Sequence, residues 1–212
     1  MHSEGVGLSG EGVGHRFGPR ILFRRMDFSL MGGTSTAIVG SNGSGKSTFV
    51  RILAGLLTPT AGSVQLRLDG RPVERARQPL HCGMVAPYLN VYDGLTPREN
   101  LSFIADARRL TGRDKRVQDV LGVVGLEDRA DDPVSTFSSG MIQRVRVACA
   151  LLPDPSVLLL DEPGATLDDV GLAMMQDVIR TQTEQGRIVV VATNVAAEAD
   201  LCGSRIDVTA FR

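Results

Sequence analysis

A glycine-rich segment at residues 40–48, GSNGSGKST, has the spacing G-x-x-x-x-G-K-[ST]. Glycines at this spacing let successive backbone N–H groups curve around phosphate oxygens, while the lysine reaches the terminal phosphates and the serine hydroxyl can bind magnesium. An apolar run precedes the segment and a helical pattern follows it, as such a loop requires. The sequence therefore predicts a site for a nucleoside triphosphate and Mg²⁺ at Gly40, Ser41, Asn42, Gly43, Ser44, Gly45, Lys46, Ser47 and Thr48.

Two carboxylates, Asp161 and Glu162, follow the apolar run at 156–160. Asp161 fits a residue that holds Mg²⁺ through water, and Glu162 can position or deprotonate an attacking water. With Lys46 at the terminal phosphates, this arrangement predicts phosphoanhydride hydrolysis. A P-loop GTPase is disfavoured because the chain has no Asn/Thr-Lys-x-Asp element, and a small P-loop kinase does not explain FSSGMIQR at 137–144.

A second place suited to an anion lies at residues 135–148, STFSSGMIQRVRVA. Three small polar residues, Ser138, Ser139 and Gly140, stand there directly before a helical stretch. The start of a helix presents unpaired N–H groups and the positive end of its dipole. One nucleotide does not need two such helix starts from one subunit. The residues alone do not say whose phosphate the second one would hold.

Short apolar runs predict the strands that position these residues. They are TAIVG at 36–40, SVLLLDEP at 156–163 and RIVVVATN at 187–194. Each run is rich in branched residues and helical patterns lie between them, which predicts an α/β fold with a mainly parallel, buried sheet. Because Gly40, Asp161 and Thr193 each follow such a run, we expect them to share one edge of the sheet.

The middle of the chain shows consecutive helical patterns without strands. The first begins at a capping box of Thr96 and Glu99, with Pro97 at the first helical position. Two further patterns cover 113–124 and 139–152. We therefore predict one domain, 1–212, whose core (about 1–90 and 155–212) carries an inserted helical lobe (about 91–154).

Composition and charge exclude several classes of function. The net charge is −1, with 23 basic and 24 acidic residues, so no nucleic-acid partner is expected. No run of 18 apolar residues occurs, so a role at a membrane would require another chain to span it. The amino end lacks the pattern of a secretion signal, and three widely spaced cysteines indicate reduced thiols.

The motifs, in this order, resemble the ATP-binding cassette (ABC) ATPases over nearly the whole chain. Residues 137–141, FSSGM, are similar to the family signature Leu-Ser-Gly-Gly-Gln. Phe17 stands where the family stacks an aromatic ring on adenine, and Asp168 matches the acidic residue of the loop after the catalytic carboxylate. The resemblance implies a homodimer with head-to-tail sites, in which the signature of one copy contacts the γ-phosphate of Mg-ATP held by the other.

The same resemblance implies a peripheral subunit that drives a separate transmembrane permease from the cytoplasmic face of the inner membrane. The signature, the segment at 86–101 and the carboxyl end are similar to exporter-type subunits, including the small haem-exporter ATPases of cytochrome c maturation. Two alternatives stay open: a soluble ABC ATPase that acts on nucleic acid or ribosomes, and a slow ATP-dependent assembly switch. The first is disfavoured because the chain has no long coiled coil, second cassette or basic surplus.

Several positions depart from the family pattern. Ser139 and Met141 replace a glycine and the glutamine of the signature. Pro87 falls where the family has a glutamine that senses magnesium and the attacking water, and Asn194 replaces a histidine that touches the γ-phosphate. Asparagine cannot shuttle a proton but can donate a hydrogen bond, so we expect Asn194 to keep a geometric catalytic role. Because loss of a transition-state donor costs roughly 100- to 1,000-fold in rate, hydrolysis is expected to be slow.

Overall fold

The computed structural model describes residues 5–212 and contains both strands and helices. Residues 1–4, which the predicted domain 1–212 includes, lie outside the described residues. The strands are β1 (Val6–Phe17), β2 (Arg20–Met31), β3 (Thr34–Val39), β4 (Ala61–Leu68), β5 (Arg71–Pro72), β6 (Cys82–Val85), β7 (Val157–Asp161), β8 (Ile188–Ala192) and β9 (Ser204–Asp207). The α-helices are α1 (Lys46–Leu53), α2 (Pro97–Ala107), α3 (Arg113–Val123), α4 (Ser139–Leu151), α5 (Asp169–Glu184) and α6 (Ala196–Ala199).

A parallel sheet with the order β6-β7-β8-β3-β9 forms the centre of the fold. The three apolar runs correspond to β3, β7 and β8, and every pair of neighbours in this sheet is parallel. Ala192 at the end of β8 lies opposite both Ile38 of β3 and Asp161 of β7. Because parallel strands end at the same edge, the loops that follow them begin side by side. The predicted α/β fold with a parallel sheet is confirmed.

Both faces of the parallel sheet are covered, which explains why its central strands are continuously apolar. In β7, Leu158 and Leu160 belong to a core formed with α2, α3, α4 and α5. Val157 and Leu159 belong to a second core on the other face, formed with α1 and with β1, β2 and β4. Neither face offers a position for a polar side chain within β7, so the first carboxylates appear where the strand ends.

A second sheet, antiparallel in the order β2-β1-β4-β5, was not predicted. The sequence of β1, VGLSGEGVGHRF, is interrupted by glycines that weaken a strand pattern. The strand nevertheless forms because this sheet covers α1, with Leu8 and Phe23 buried and the ring of Phe23 edge-on to that of Phe49 at 5.6 Å between centroids. The sheet brings Phe17, the last residue of β1, beside the loop between β3 and α1.

The helices between β6 and β7 follow the predicted pattern. Thr96 accepts a hydrogen bond from the N–H of Glu99 at 3.2 Å, and Glu99 accepts one from the N–H of Thr96 at 2.8 Å, so the capping box is present. The patterns at 113–124 and 139–152 correspond to α3 and α4, each of which ends one residue earlier than predicted. Among residues 5–212, no helix combines the length and apolar character needed to cross a membrane.

Gly83 offers a test of how closely α4 packs on β6. A Cβ atom at this position would lie 2.2 Å from the carbonyl oxygen of Ala150. Gly83→Ala must therefore shift the helix from the strand, and we expect the free energy of unfolding to fall by about 1–3 kcal/mol. Urea denaturation measures the change, with Gly94→Ala as the control because nothing lies within 4 Å of a Cβ atom there. Equal midpoints for the two variants would contradict the close packing.

Candidate functional site

The loop between β3 and α1 depends on glycines in the left-handed region of φ. Gly40, Gly43 and Gly45 have φ values of 148°, 72° and 110°. A Cβ atom at Gly40 would lie 2.7 Å from the Oγ atom of Ser44. Helix α1 begins at Lys46, and no side chain caps its first N–H groups. These N–H groups and the positive end of the helix dipole suit a phosphate.

The side chain of Lys46 is buried within this loop. Its Nζ atom donates hydrogen bonds to the carbonyl oxygens of Gly40 at 2.9 Å and Ser41 at 3.4 Å. The ammonium group is therefore fixed at the place where the terminal phosphates of a nucleotide would lie. Ser41, Asn42 and Gly43 are exposed, so the loop is accessible from solvent.

A pocket of about 290 Å³ opens beside the loop. It is lined by Phe17, Arg20, Leu22, Asn42, Gly43, Gly45, Lys46, Ser47, Thr48 and Glu162. The ring of Phe17 is 52% exposed and contacts the His15 ring edge-on at 4.8 Å between centroids. An exposed ring at the rim of a pocket can stack on a base. Arg20, which was not predicted, adds a cation here and donates to the carbonyl oxygen of Gly43 at 2.9 Å.

The carboxylate of Asp161 is buried, and neither of its oxygens has a hydrogen-bond partner. Burial raises the pKa of Asp161. The nearby Ser47 hydroxyl, although outside hydrogen-bonding geometry, lowers this pKa, and the negative charge of Glu162 raises it. Two unpartnered carboxylate oxygens near a serine hydroxyl match the oxygen ligands that Mg²⁺ prefers. Asp161 and Ser47 therefore fit a magnesium site.

Glu162 has an unusual backbone conformation, with φ at 51°. Its N–H donates a hydrogen bond of 2.8 Å to the carbonyl oxygen of Ala192, which ties the loop to the end of β8. Left-handed conformations in residues other than glycine are costly and often occur at functional sites. Glu162 lines the nucleotide pocket, where its carboxylate can reach a water beside the phosphates.

Asn194 and Pro87 follow β8 and β6 at the same edge of the sheet. The Nδ2 atom of Asn194 donates to the Oδ1 atom of Asn42 at 3.0 Å, so this amide lies against the phosphate-binding loop. Pro87 lies in a turn closed by a 3.0 Å hydrogen bond from the Leu89 N–H to the Ala86 carbonyl oxygen. Proline favours this turn position because its φ is fixed, but it supplies no donor to the site.

The residues at the start of α4 are not part of the nucleotide pocket of the same chain. Ser138 and Ser139 are exposed, and Ser138 caps α4 by accepting a hydrogen bond of 3.3 Å from the N–H of Met141. Gly140 lies close to the next loop, because a Cβ atom there would be 3.1 Å from the carbonyl oxygen of Thr166. One chain thus brings the phosphate loop and the carboxylates together but leaves the start of α4 outside them.

Asp168 connects the start of α5 to α4. It caps α5 by accepting a 2.8 Å hydrogen bond from the N–H of Gly171, and it pairs with Arg144 at 2.9 Å. The hydrogen bond from Gly171 and then that from Arg144 hold the pKa of Asp168 below its usual value. An ionised Asp168 therefore orients the loop after Glu162 against the helix that begins with the signature residues.

A separate groove of about 470 Å³ lies between β6, α2 and α4. Its rim includes exposed rings of Tyr92 and Phe103, which contact each other edge-on at 5.5 Å between centroids. The buried side chain of Asn100 holds the adjoining segment by donating to the Tyr92 carbonyl oxygen at 2.9 Å and accepting from its N–H at 2.8 Å. Exposed apolar side chains around a groove are typical of a surface that docks another protein.

Two polar residues of α4 were not predicted to have a functional role. Gln143 is 5% exposed and donates to the carbonyl oxygen of Pro163 at 3.0 Å. Arg146 donates to the Oε1 atom of Gln143 at 3.1 Å. The signal that could have identified them is a polar pair within a helix whose other core positions are apolar, because buried polar groups require specific partners.

Comparison with known proteins identifies the family of this chain. The family model described as ABC transporter matches residues 23–165. This chain belongs to that family. It is an ABC transporter ATP-binding subunit and an ATPase, as its motifs predicted.

The relatives include ATP-binding proteins from two bacteria. The chain is 38% identical over 179 residues to the cytochrome c biogenesis ATP-binding export protein CcmA of Pseudomonas syringae pv. tomato, with 82% of each chain covered. It is 30% identical to the linearmycin resistance ATP-binding protein LnrL of Bacillus subtilis, covering 95% of this chain and 65% of the relative. The fold matches an ATP-binding cassette solved as a dimer in a post-hydrolysis state bound to ADP and Pi, with a TM-score of 0.81, 27% identity and 94% and 93% coverage.

The buried carboxylate of Asp161 predicts that the stability of the ligand-free protein depends on pH. Because its pKa is raised on folding, the charged group destabilises the folded state above that pKa and has no such effect below the ordinary pKa of aspartate. We expect Asp161→Asn without nucleotide and Mg²⁺ to be more stable than the parent at neutral pH, with the gain shrinking in acid. Urea denaturation across this pH range tests it, with the exposed Asp93→Asn as control. A variant less stable than the parent throughout would contradict the assignment.

Proposed function

We propose that two copies of this chain pair head to tail around two Mg-ATP, and that hydrolysis separates them. The observation that carries this proposal is the exposed start of α4, which lies outside the chain's own nucleotide pocket. In a head-to-tail pair, Ser138, Ser139 and the N–H of Gly140 would contact the γ-phosphate held by the partner. A related cassette solved as a dimer with ADP and Pi supports this arrangement.

We assign the roles within each site from the residue types and their positions in the fold. The N–H groups of the loop from Gly40 to Thr48 and the ammonium of Lys46 would hold the phosphates, while Phe17 stacks on the base. Ser47 and Asp161 would hold Mg²⁺, which when bound neutralises charge on the phosphates. Glu162 would orient and deprotonate the attacking water, and Asn194 would donate a hydrogen bond toward the γ-phosphate.

The groove between β6, α2 and α4 would dock a separate transmembrane partner. Its apolar rim, with Tyr92 and Phe103, suits an apolar helix or loop of that partner. In this division, the core (about 1–90 and 155–212) binds ATP and the helical lobe (about 91–154) supplies much of the docking surface. The protein would then act as a peripheral subunit at the cytoplasmic face of the inner membrane.

The class of transport that we propose is export for cytochrome c biogenesis, with haem as the cargo of the complex. The support is the likeness to the export protein CcmA, which covers 82% of both chains. We expect turnover of Mg-ATP to be slow, because Pro87 supplies no side-chain donor and Asn194 cannot act as a base. In this proposal, ATP can move the membrane partner only because ATP binds with different affinities to the closed pair of subunits and to the open pair.

Replacement of Glu162 tests the catalytic assignment. Glu162→Gln keeps the size of the side chain but removes the base, so we expect turnover of Mg-ATP to fall by about 100- to 10,000-fold while ATP binding is retained. Phosphate release and equilibrium nucleotide binding measure the two quantities, with Glu184→Gln as an exposed control carboxylate. Sedimentation of Glu162→Gln with Mg-ATP should show a dimer. Turnover equal to that of the parent would refute the role of Glu162.

A pull-down from detergent-solubilised membranes tests the docking proposal. We expect a polytopic membrane protein to copurify with the parent chain and to be lost with Phe103→Asp, because a charge on the rim opposes apolar contact. Val123→Asp is the matched control, since Val123 is similarly exposed at 51% but lies outside the groove. Recovery of ribosomes or DNA instead would favour a soluble, non-transport ATPase. Equal recovery of the membrane protein by both variants would place docking elsewhere.

A further inference from the structure

A chain of hydrogen bonds runs from the groove to the loop that carries Glu162. Asn90 in the segment beside the groove accepts a hydrogen bond of 3.2 Å from Arg146. A second nitrogen of the same guanidinium donates to the Oε1 atom of Gln143 at 3.1 Å. The Nε2 atom of Gln143 donates to the carbonyl oxygen of Pro163 at 3.0 Å, and Pro163 directly follows Glu162.

The residues joined by these hydrogen bonds become more exposed with distance from Pro163. Gln143 is buried, so both ends of its amide need their partners, and loss of either would leave an unsatisfied polar group. Arg146 is partly buried, whereas Asn90 is exposed. These contacts therefore connect an exposed residue beside the groove to a buried contact beside Glu162.

The position of the exposed end matches the proposed docking surface. Asn90, Tyr92 and Arg146 all line the groove. The turn at Pro87 offers no side-chain donor to the nucleotide site, so this segment does not reach that site through an amide at position 87. The hydrogen bonds of Arg146 and Gln143 in α4 connect this segment to the loop after β7 instead.

We propose that Arg146 is a positioning residue that couples occupation of the groove to the placement of Glu162. The proposal rests on the proposed function of the groove as the docking site of a membrane partner. A partner that displaces Asn90 would move the guanidinium, and the change would reach the Pro163 carbonyl through Gln143. On this proposal, ATP bound beside the loop that carries Glu162 also changes the environment of the groove through the same contacts.

A fluorescent reporter tests this coupling without the membrane partner. The chain has no tryptophan, so Leu89→Trp on the rim of the groove supplies a single tryptophan as the reporter. In a Glu162→Gln background, we expect Mg-ATP to shift its emission. We expect the shift to be lost in Arg146→Met and in Asn90→Ala, with the affinity for Mg-ATP unchanged. Asn90→Ala alters an exposed loop residue, which separates loss of coupling from loss of folding.

Arg108→Met is the matched control because Arg108 lines the same groove but donates to the carbonyl oxygen of Leu80 at 3.1 Å. This variant should keep the shift. Three results would overturn the proposal. The reporter parent could show no shift, the shift could be unchanged in Arg146→Met or Asn90→Ala, or it could be lost equally in Arg108→Met.

The complex with the copurified membrane protein provides a second readout. There, Arg146→Met should lower the kcat of the ATPase measured at a saturating concentration of the membrane protein, while the KM for Mg-ATP stays unchanged. Arg146→Lys should not restore kcat because one ammonium cannot span both acceptors. Stimulation equal to that of the parent would overturn the proposal. If no membrane protein copurifies, the docking function fails, whereas the fluorescence result still decides whether the coupling exists.

Discussion

The parallel pairing of β3, β8 and β7 is the constraint on which the site depends. Ala192 lies opposite both Ile38 and Asp161, so the phosphate-binding loop, the carboxylates and Asn194 leave the sheet at neighbouring points. A shift of one residue in this register would exchange the two buried faces of a strand and move Asp161 away from the loop. The continuous apolar runs that fill both cores therefore also set the geometry of the catalytic groups.

Prediction from the sequence succeeded where burial and local chemistry agree. The run VLLLD predicts a doubly buried strand because polar residues cannot occupy either face, and Thr96 with Glu99 predicts a helix start through their own hydrogen bonds. The antiparallel sheet was missed because its strands are defined by contacts with α1 rather than by their own pattern. The contact between Gln143 and Pro163 was missed for the same reason, since the two residues are 20 positions apart.

Two of the departures from the family pattern, at Asn194 and Pro87, would affect different parts of the proposed mechanism. Asn194 already contacts the phosphate-binding loop through Asn42, so an amide at this position can orient groups but cannot carry a proton. Pro87 rigidifies the turn after β6 and removes a side-chain donor. In the proposed mechanism, the first change would alter the chemistry of hydrolysis, whereas the second would alter how the groove communicates with the site. Proton transfer would then be left to Glu162.

The charges of the ligand-free site support a link between ligand binding and the proposed pairing. Among residues 5–212, Asp161 is buried without a hydrogen-bond partner, and the start of α4 lies outside the pocket. Each feature is unfavourable or incomplete in one chain alone. A metal-bound triphosphate compensates the first through its positive ion, and its terminal phosphate can satisfy the second on another copy. In the proposed pair, the affinity for Mg-ATP would therefore arise from groups that a single chain leaves without partners.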